Sequence, residues 1–153
     1  MTDFPLLGPM LVRLVLAAVC GAILGLERTV AGKHAGVRTY ALVTLGSALF
    51  VVISELVIAR YLGQTGLTLD PLRIASQVVV GIGFLGAGLI IFKESKISGL
   101  TTAAGLWVAA GIGVAAGFGL LALAIVVTVL TLLIFTFLWL FEKRIKPAER
   151  HED

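Results

Sequence analysis

Five apolar runs of about 18 to 22 residues constrain the fold of this 153-residue chain more than any other feature, because each matches the thickness of a bilayer. A helix rises about 1.5 Å per residue, so such a run crosses a hydrocarbon core of roughly 30 Å. The runs are Leu6–Leu26, Thr39–Ala59, Leu72–Phe92, Gly99–Ala116 and Leu120–Phe141. They predict an all-α integral membrane protein with five transmembrane helices.

The composition supports a membrane protein and argues against a soluble domain. Hydrophobic residues make up 59% of the chain and charged residues 14%, and the mean hydropathy is +1.08. A soluble domain carries about 25% charged residues. The single cysteine, Cys20, and the distant histidines His34 and His151 argue against a disulfide framework or a metal cluster. The first residues lack a basic cluster, so we expect no cleaved signal peptide.

Lysine and arginine are distributed unequally between the two sides of the predicted bundle. The first and third connectors and the tail hold nine of them, whereas the opposite side holds three. The positive-inside rule therefore predicts that the N-terminus lies outside and the C-terminus is cytoplasmic. We expect a five-span domain over residues 1–141 and a short charged cytoplasmic tail over residues 142–153.

Spans one and two resemble spans three and four after a shift of 60 positions. The matched pairs are Arg13 with Arg73, Val19 with Val79, Gly21 with Gly81 and, after a three-residue slip, Gly36 with Gly99 and Thr39 with Thr102. Both units run in the same direction across the membrane, so the pattern predicts a parallel repeat about an axis along the membrane normal. Chance matching among small residues is the alternative.

The connector over residues 25–39 gathers an acid, two arginines, a lysine and a histidine between two apolar spans. Glu27 and Arg28 end the first span, and Arg38 and Thr39 begin the second. Desolvating a carboxylate beside arginines costs free energy unless the charges pair. We therefore predict that Glu27 pairs with Arg38 or Arg28 and fixes this hairpin at a cytoplasmic polar corner. The alternative is that the cations only anchor the connector to the membrane face.

Several polar residues lie near the ends or the middle of the other spans. Thr101 and Thr102 complete the predicted corner, where they cap the fourth span or bond back to its carbonyls. Glu55 lies near Arg60, which predicts interfacial snorkelling. Trp107 lies near mid-span, so its N–H needs an acceptor inside the protein.

An outer polar cluster is predicted where the third span begins. Asp70 is a good N-cap, and Pro71 suits the first helical position. Arg73 and Gln77 follow on one helical face. An amide facing lipid would lack hydrogen bonds, so Gln77 is expected to face protein or water. The alternatives are a structural hydrogen bond between helices and a polar entrance.

Glycines recur in the first and third spans. Residues 81–86 read G-x-G-x-x-G, but they lie inside an apolar run without the strand and acid of a dinucleotide site. Small residues instead let helices approach closely in a membrane. We expect helix packing, within the chain or in a homo-oligomer, at Gly21, Gly25, Gly81, Gly83, Gly86 and Gly88. A helix break that lines a cavity is the alternative.

Five motifs occur in an order typical of a known family: GAILGLER (21–28), AGVRT (35–39), DPLRIASQV (70–78), GIGFLGAG (81–88) and GLTTAAGLW (99–107). Together they resemble the MgtC/SapB family of bacterial inner-membrane proteins over about residues 10–120. The resemblance implies a five-span domain in the inner membrane. It does not extend to the soluble ACT-like domain of MgtC-type virulence proteins. Tyr40 stands where many relatives have a polar residue, which weakens a catalytic interpretation.

The resemblance also implies a role in growth at low magnesium and survival in host cells, and one member restrains the membrane ATP synthase. We expect a non-enzymatic regulator without cofactors that contacts partner proteins within the bilayer, ATP synthase being one candidate, and that forms a homo-oligomer, most simply a dimer. The alternative is a transporter or channel subunit for magnesium or another small ion. Against transport, no carboxylate lies near the bilayer midplane.

Overall fold

The computed structural model describes residues 4–61, 70, 72–93 and 96–138, and these form a helical bundle. The helices are α1 (Phe4–Val30), α2 (Val37–Tyr61), α3 (Leu72–Leu89), α4 (Leu100–Gly117) and α5 (Leu121–Leu133), and a π-helical turn, Ile134–Leu138, continues α5. Five helical segments are long and apolar enough to cross a membrane. The predicted all-α, five-span membrane fold is therefore confirmed. The sidedness of the termini and the internal repeat stay predictions.

A short β-hairpin separates α3 from α4, and its first two residues, Ile91 and Phe92, fall where the sequence predicted the end of span three. Strand β1 (Ile91–Lys93) pairs with β2 (Lys96–Ser98) in an antiparallel register that joins Phe92 to Ile97. The third span therefore ends at Leu89 and does not reach Phe92. The chain re-enters helix at Gly99, whose φ of 86° favours glycine, and a Cβ there would collide with the Leu89 carbonyl.

The connection between α4 and α5 is a tight turn, as its glycines predict. Gly119 adopts a φ of 76°, its N–H donates to the Ala116 carbonyl (2.9 Å), and the Leu120 N–H donates to the Ala115 carbonyl (2.9 Å). This is the Schellman arrangement, in which a left-handed residue closes the end of a helix. The turn makes α4 and α5 antiparallel neighbours.

Helix α4 lies at the centre of the bundle and α3 at its edge. Half of the most apolar stretch of α4 is buried, against 11% of that of α3. Small residues on α4 let α1 and α2 pack closely against it, and Ala109, Ala110 and Ala116 are fully or almost fully buried. Large apolar side chains, such as Phe84 and Leu11, cover the outside of the bundle, as expected of a surface that faces lipid.

Candidate functional site

Glu27 and Arg28, in the last turn of α1, form an ion pair at the end of the bundle where the chain passes from α1 to α2. Arg28 Nη2 donates to Glu27 Oε1 at 2.6 Å, and Arg28 Nε donates to Glu27 Oε2. The Arg28 side chain is only 4% exposed. Both carboxylate oxygens are bound by one planar guanidinium, which is the strong bidentate geometry. Glu27 thus pairs with Arg28, one of the two partners predicted for it.

The same guanidinium lies on an aromatic ring from the far end of the chain. Arg28 Cζ is 3.8 Å from the centroid of the Phe135 ring, and Phe135 is buried. Phe135 belongs to the π-helical turn after α5. A cation over an aromatic face is attracted by the ring quadrupole, more strongly where water is excluded. Arg28 therefore connects the end of α1 to the end of α5.

Tyr40 and Gly105 complete this cluster. Tyr40 is fully buried, and its hydroxyl donates to the Thr102 carbonyl at 3.4 Å. A Cβ at Gly105 would lie 2.6 Å from Phe135 Cζ and would also meet the Tyr40 hydroxyl. Only a glycine at this position of α4 leaves room for both rings. We name this group the Glu27 cluster; its members are Glu27, Arg28, Tyr40, Thr102, Gly105 and Phe135.

The structure brings together only part of the predicted cytoplasmic corner. Arg38, Thr39 and Thr101 are exposed, and Arg38 forms no ion pair within the described ranges. Neither threonine caps α4, because the cap position is Gly99 and it has no side-chain hydrogen bond. Thr101 and Thr102 already lie inside the helix, past the position from which a hydroxyl can cap it.

The α1–α2 hairpin is closed by a residue that the sequence analysis did not single out. Thr29 Oγ1 donates to the Gly25 carbonyl at 2.9 Å and accepts from the Val37 N–H at 3.2 Å. A Cβ at Gly25 would lie 2.7 Å from the Gly36 carbonyl oxygen. The side chain of Thr29 thus satisfies one of the free N–H groups at the start of α2.

A second arginine connects three helices at the opposite end of the bundle. Arg13 Nη1 donates to Glu55 Oε2 at 2.6 Å and to the Gly117 carbonyl at 3.0 Å. The carbonyl end of a helix carries partial negative charge, so the cation also stabilises the end of α4. Glu55 was expected to snorkel near Arg60. It pairs with Arg13 instead, because the antiparallel α1 and α2 place these residues at the same depth. We name Arg13, Glu55 and Gly117 the Arg13 cluster.

The predicted outer cluster does not assemble among the described residues. Asp70 Oδ1 accepts the Leu72 N–H at 2.9 Å, as expected of an N-cap. Arg73 and Gln77 are exposed and form no side-chain hydrogen bond to a described residue. Pro71 lies outside the described residues.

The packing glycines divide into two groups. A Cβ at Gly21 or Gly25 would collide with α2 or the residues just before it, so α1 lies close to that hairpin partner at both positions. A Cβ at Gly86 would lie 3.7 Å from Ala103 Cβ, which is an ordinary van der Waals distance. At Gly81, Gly83 and Gly88 a Cβ would meet no described heavy atom within 4 Å, and helix packing at these positions stays a prediction. These positions are open because α3 packs on α4 through a narrow strip of its surface, whose buried residues are Ile82 and Gly86.

Helix α4 contains the close-packed ladder that the sequence analysis missed. Gly105, Gly113 and Gly117 follow with Ala109 at four-residue intervals. A Cβ at Gly113 would lie 2.7 Å from Ser47 Cβ, and one at Gly117 would lie 2.8 Å from the Ala48 carbonyl oxygen. Gly21 and Gly25 of span one are also four residues apart, so the same small-residue spacing occurs in both helices.

Trp107 is placed differently from the prediction. It is 56% exposed, so its ring lies on the outer surface of α4, and its N–H has no acceptor among the described residues. The mid-span position of Trp107 therefore does not mark a buried polar site.

A groove of about 720 Å³ lies between α2 and α3. Arg38 and Thr39, at the start of α2, line one part of it, and Ser47 and Gln77 are its other polar residues, among apolar side chains. The groove forms because α3 packs mainly on α4 and stands away from α2.

The ionic side chains inside the bundle bind groups of the same chain. Among the described residues, no side-chain nitrogen or oxygen that is itself fully enclosed lacks a hydrogen-bond partner. No group of three histidine, cysteine or acidic residues that could hold a metal ion occurs in the described ranges. The arrangement is one that fixes helices relative to each other.

The fold and these clusters define a multi-pass membrane protein whose ionic groups clamp its helices together. The MgtC family model matches residues 14–144, and the chain belongs to the MgtC family. Its place is the bacterial inner membrane, which it crosses several times.

Three relatives illustrate the similarity. The chain is 50% identical over 125 residues to "Putative magnesium transporter YhiD" of Escherichia coli K12, 81% of this chain and 58% of that protein. It is 44% identical over 94 residues to the uncharacterized protein slr0014 of Synechocystis, 61% of this chain and 37% of that protein. It is 41% identical over 104 residues to "Protein MgtC" of Salmonella typhimurium LT2, 68% of this chain and 41% of that protein.

The chain spans about three fifths of the length of YhiD and about two fifths of that of the other two proteins. No solved structure matches the chain.

Proposed function

We propose that this chain is a non-enzymatic regulator that acts through helix contacts within the inner membrane. One observation carries the proposal: the ionic side chains inside the described bundle are bound to groups of the chain itself. Glu27 is held by Arg28, and Glu55 is held by Arg13. Such pairs make a rigid scaffold and leave its outer helical faces to contact other membrane proteins.

The same pairs argue against an ion pathway through the bundle. Magnesium is bound by carboxylate and other oxygen ligands. Each of these two glutamates is already neutralised by an arginine, whose charge repels a dication at short range. A travelling magnesium ion would have to displace a guanidinium from a low-dielectric site.

The link to magnesium comes from the relatives of this chain and from its family. YhiD is named "Putative magnesium transporter". The resemblance to MgtC/SapB proteins implies a role in growth at low magnesium. We therefore propose that the regulation belongs to adaptation to low magnesium or a related stress. The ATP synthase is the candidate partner that the family suggests.

The competing function is transport of magnesium or another small ion. The name of the relative YhiD, "Putative magnesium transporter", favours transport. The groove between α2 and α3, whose lining includes Ser47 and Gln77, is the described feature that an ion route would use. Transport and regulation differ in one respect: only transport gives flux in vesicles that contain this protein alone.

The regulatory proposal is tested by capture of partners from cells grown at low magnesium. The tagged chain, solubilised in mild detergent, is expected to co-purify with ATP synthase subunits above an unrelated tagged membrane protein. Arg28→Ala is expected to reduce that recovery at equal membrane levels, and Arg38→Ala serves as the control because Arg38 is exposed and outside the ion pair. If the wild type, Arg28→Ala and Arg38→Ala all recover ATP synthase subunits only at the level of the unrelated membrane protein, the proposal is contradicted.

A further inference from the structure

Two glycines leave open backbone in the walls of the α2–α3 groove. Gly46 on α2 and Gly81 on α3 both line the groove. A Cβ at either position would meet no described heavy atom within 4 Å. Glycines at such positions let another helix approach closely, which is how helices associate where lipid gives no hydrophobic drive.

Two polar side chains in this groove have no partner among the described residues. Ser47 is 5% exposed and lines the groove, and its hydroxyl makes no hydrogen bond to a described residue. The amide of Gln77 also lines the groove and is likewise free within the described ranges. Gln77 lies about 8 Å along the axis from Leu72, at 1.5 Å per residue, well inside an 18-residue span.

The occupant of the groove must therefore supply hydrogen bonds at the depth of Gln77. Lipid tails have none to give, and an unsatisfied amide in hydrocarbon costs free energy. An apolar helix face would leave the same deficit. The occupant that fits carries a donor and an acceptor at this same depth.

We propose that the occupant is a second copy of this chain, paired about a two-fold axis along the membrane normal. All copies of one chain insert with the same orientation, so such an axis sets each residue at the depth of its own copy. An amide both donates and accepts, so Gln77 pairs with Gln77 of the second copy. The Ser47 hydroxyl then donates to the remaining lone pair on a Gln77 side-chain oxygen of the pair.

Another side chain on this edge of α3 fits the same interface. Phe84 is 82% exposed and lies two turns from Gln77 on nearly the same face. In the pair, the Phe84 ring of each copy fills the apolar part of the groove of the other, beside Gly81. This interface stands whether or not the proposed regulatory function is correct, because it concerns assembly alone.

Cysteine cross-linking in native membranes tests the pair. Gln77→Cys in a Cys20→Ala background is expected to form a disulfide-linked dimer under mild oxidation. Val79→Cys is the matched control, since Val79 is exposed at nearly the same depth but lies about 160° around the helix. We expect at least a tenfold higher dimer yield from Gln77→Cys. Equal yields, or a monomer throughout, would show that the groove holds lipid or another protein.

A second variant separates the hydrogen bond from mere proximity. Gln77→Leu keeps the volume of the side chain and removes the amide, and is expected to weaken association about three- to tenfold, measured by energy transfer between labelled copies in vesicles. Gln77→Asn, which keeps an amide, is expected to retain part of the association. Unchanged energy transfer in Gln77→Leu would refute the amide pair.

Discussion

Arg28 and Arg13 show what a single side chain does inside an apolar bundle. Each guanidinium reaches groups on helices other than its own, Arg28 at Phe135 and Arg13 at Glu55 and the Gly117 carbonyl. A planar group with five donors suits this task better than an ammonium ion. Because each guanidinium is bound by groups of the same chain, it can remain charged inside the bundle. These contacts hold the ends of the helices in one arrangement.

The contribution of Arg28 can be measured with a change that keeps its charge. Arg28→Lys loses the two-nitrogen contact with Glu27 and the stacking on Phe135, so we expect a loss of about 1–3 kcal/mol of stability. The measurement is thermal unfolding in detergent or nanodiscs, followed by size-exclusion chromatography of the heated protein. Arg38→Lys is the control, and it should melt with the wild type. A melting temperature for Arg28→Lys equal to that of the control would remove the structural role.

At the level of helices, α4 organises the bundle through its small residues. Gly113 and Gly117 let α2 approach α4 at the positions of Ser47 and Ala48. Without such contact the helices would be held only by their short connections, since lipid offers no hydrophobic drive for their association.

A pair of glycine-to-alanine changes tests this packing. Gly113→Ala would place a methyl 2.7 Å from Ser47 Cβ and against the Thr44 carbonyl, which belongs to a helix backbone that cannot easily move. We expect a loss of about 1–3 kcal/mol from overpacking, despite the better helix propensity of alanine. Gly83→Ala meets open space on α3 and should be neutral or stabilising. The measurement is the melting temperature of each variant. If Gly113→Ala melts at the wild-type temperature, close packing of α4 on α2 at this position does not stabilise the bundle.

Sequence patterns predict the elements better than the contacts between them. The five spans follow from run length, and the close packing of Gly21 and Gly25 follows from their spacing. The open positions Gly81 and Gly88 show the limit of that argument, because spacing shows where a helix can approach but not whether one does. The contact of Arg28 with Phe135 joins residues far apart in sequence, so no local pattern reveals it.

Two features were within reach of the sequence. The α4 ladder repeats the small-residue spacing of span one, and Arg13 and Glu55 were the charged residues of adjacent spans on the same predicted side. Matching their depths in an antiparallel hairpin would have suggested the pair. The β-hairpin before α4 was less accessible, because Ile91 and Phe92 extend an apolar run and only the left-handed Gly99 marks the change.

At the scale of the whole bundle, the described ion pairs join groups of the same chain: Arg28 binds Glu27, and Arg13 binds Glu55. That is the central claim, and it separates a regulator from a conduit. If the ion pairs at Glu27 and Glu55 hold helices together, magnesium has no free carboxylate along the described bundle to move between.

Magnesium uptake into proteoliposomes that contain only the purified protein, followed with a trapped magnesium-sensitive dye under an imposed gradient, tests this claim most directly. We expect uptake equal to that of protein-free vesicles, for the wild type and for Glu27→Gln alike. Uptake above that background by the wild type, lost in Glu27→Gln, would contradict the account and make the chain a transporter.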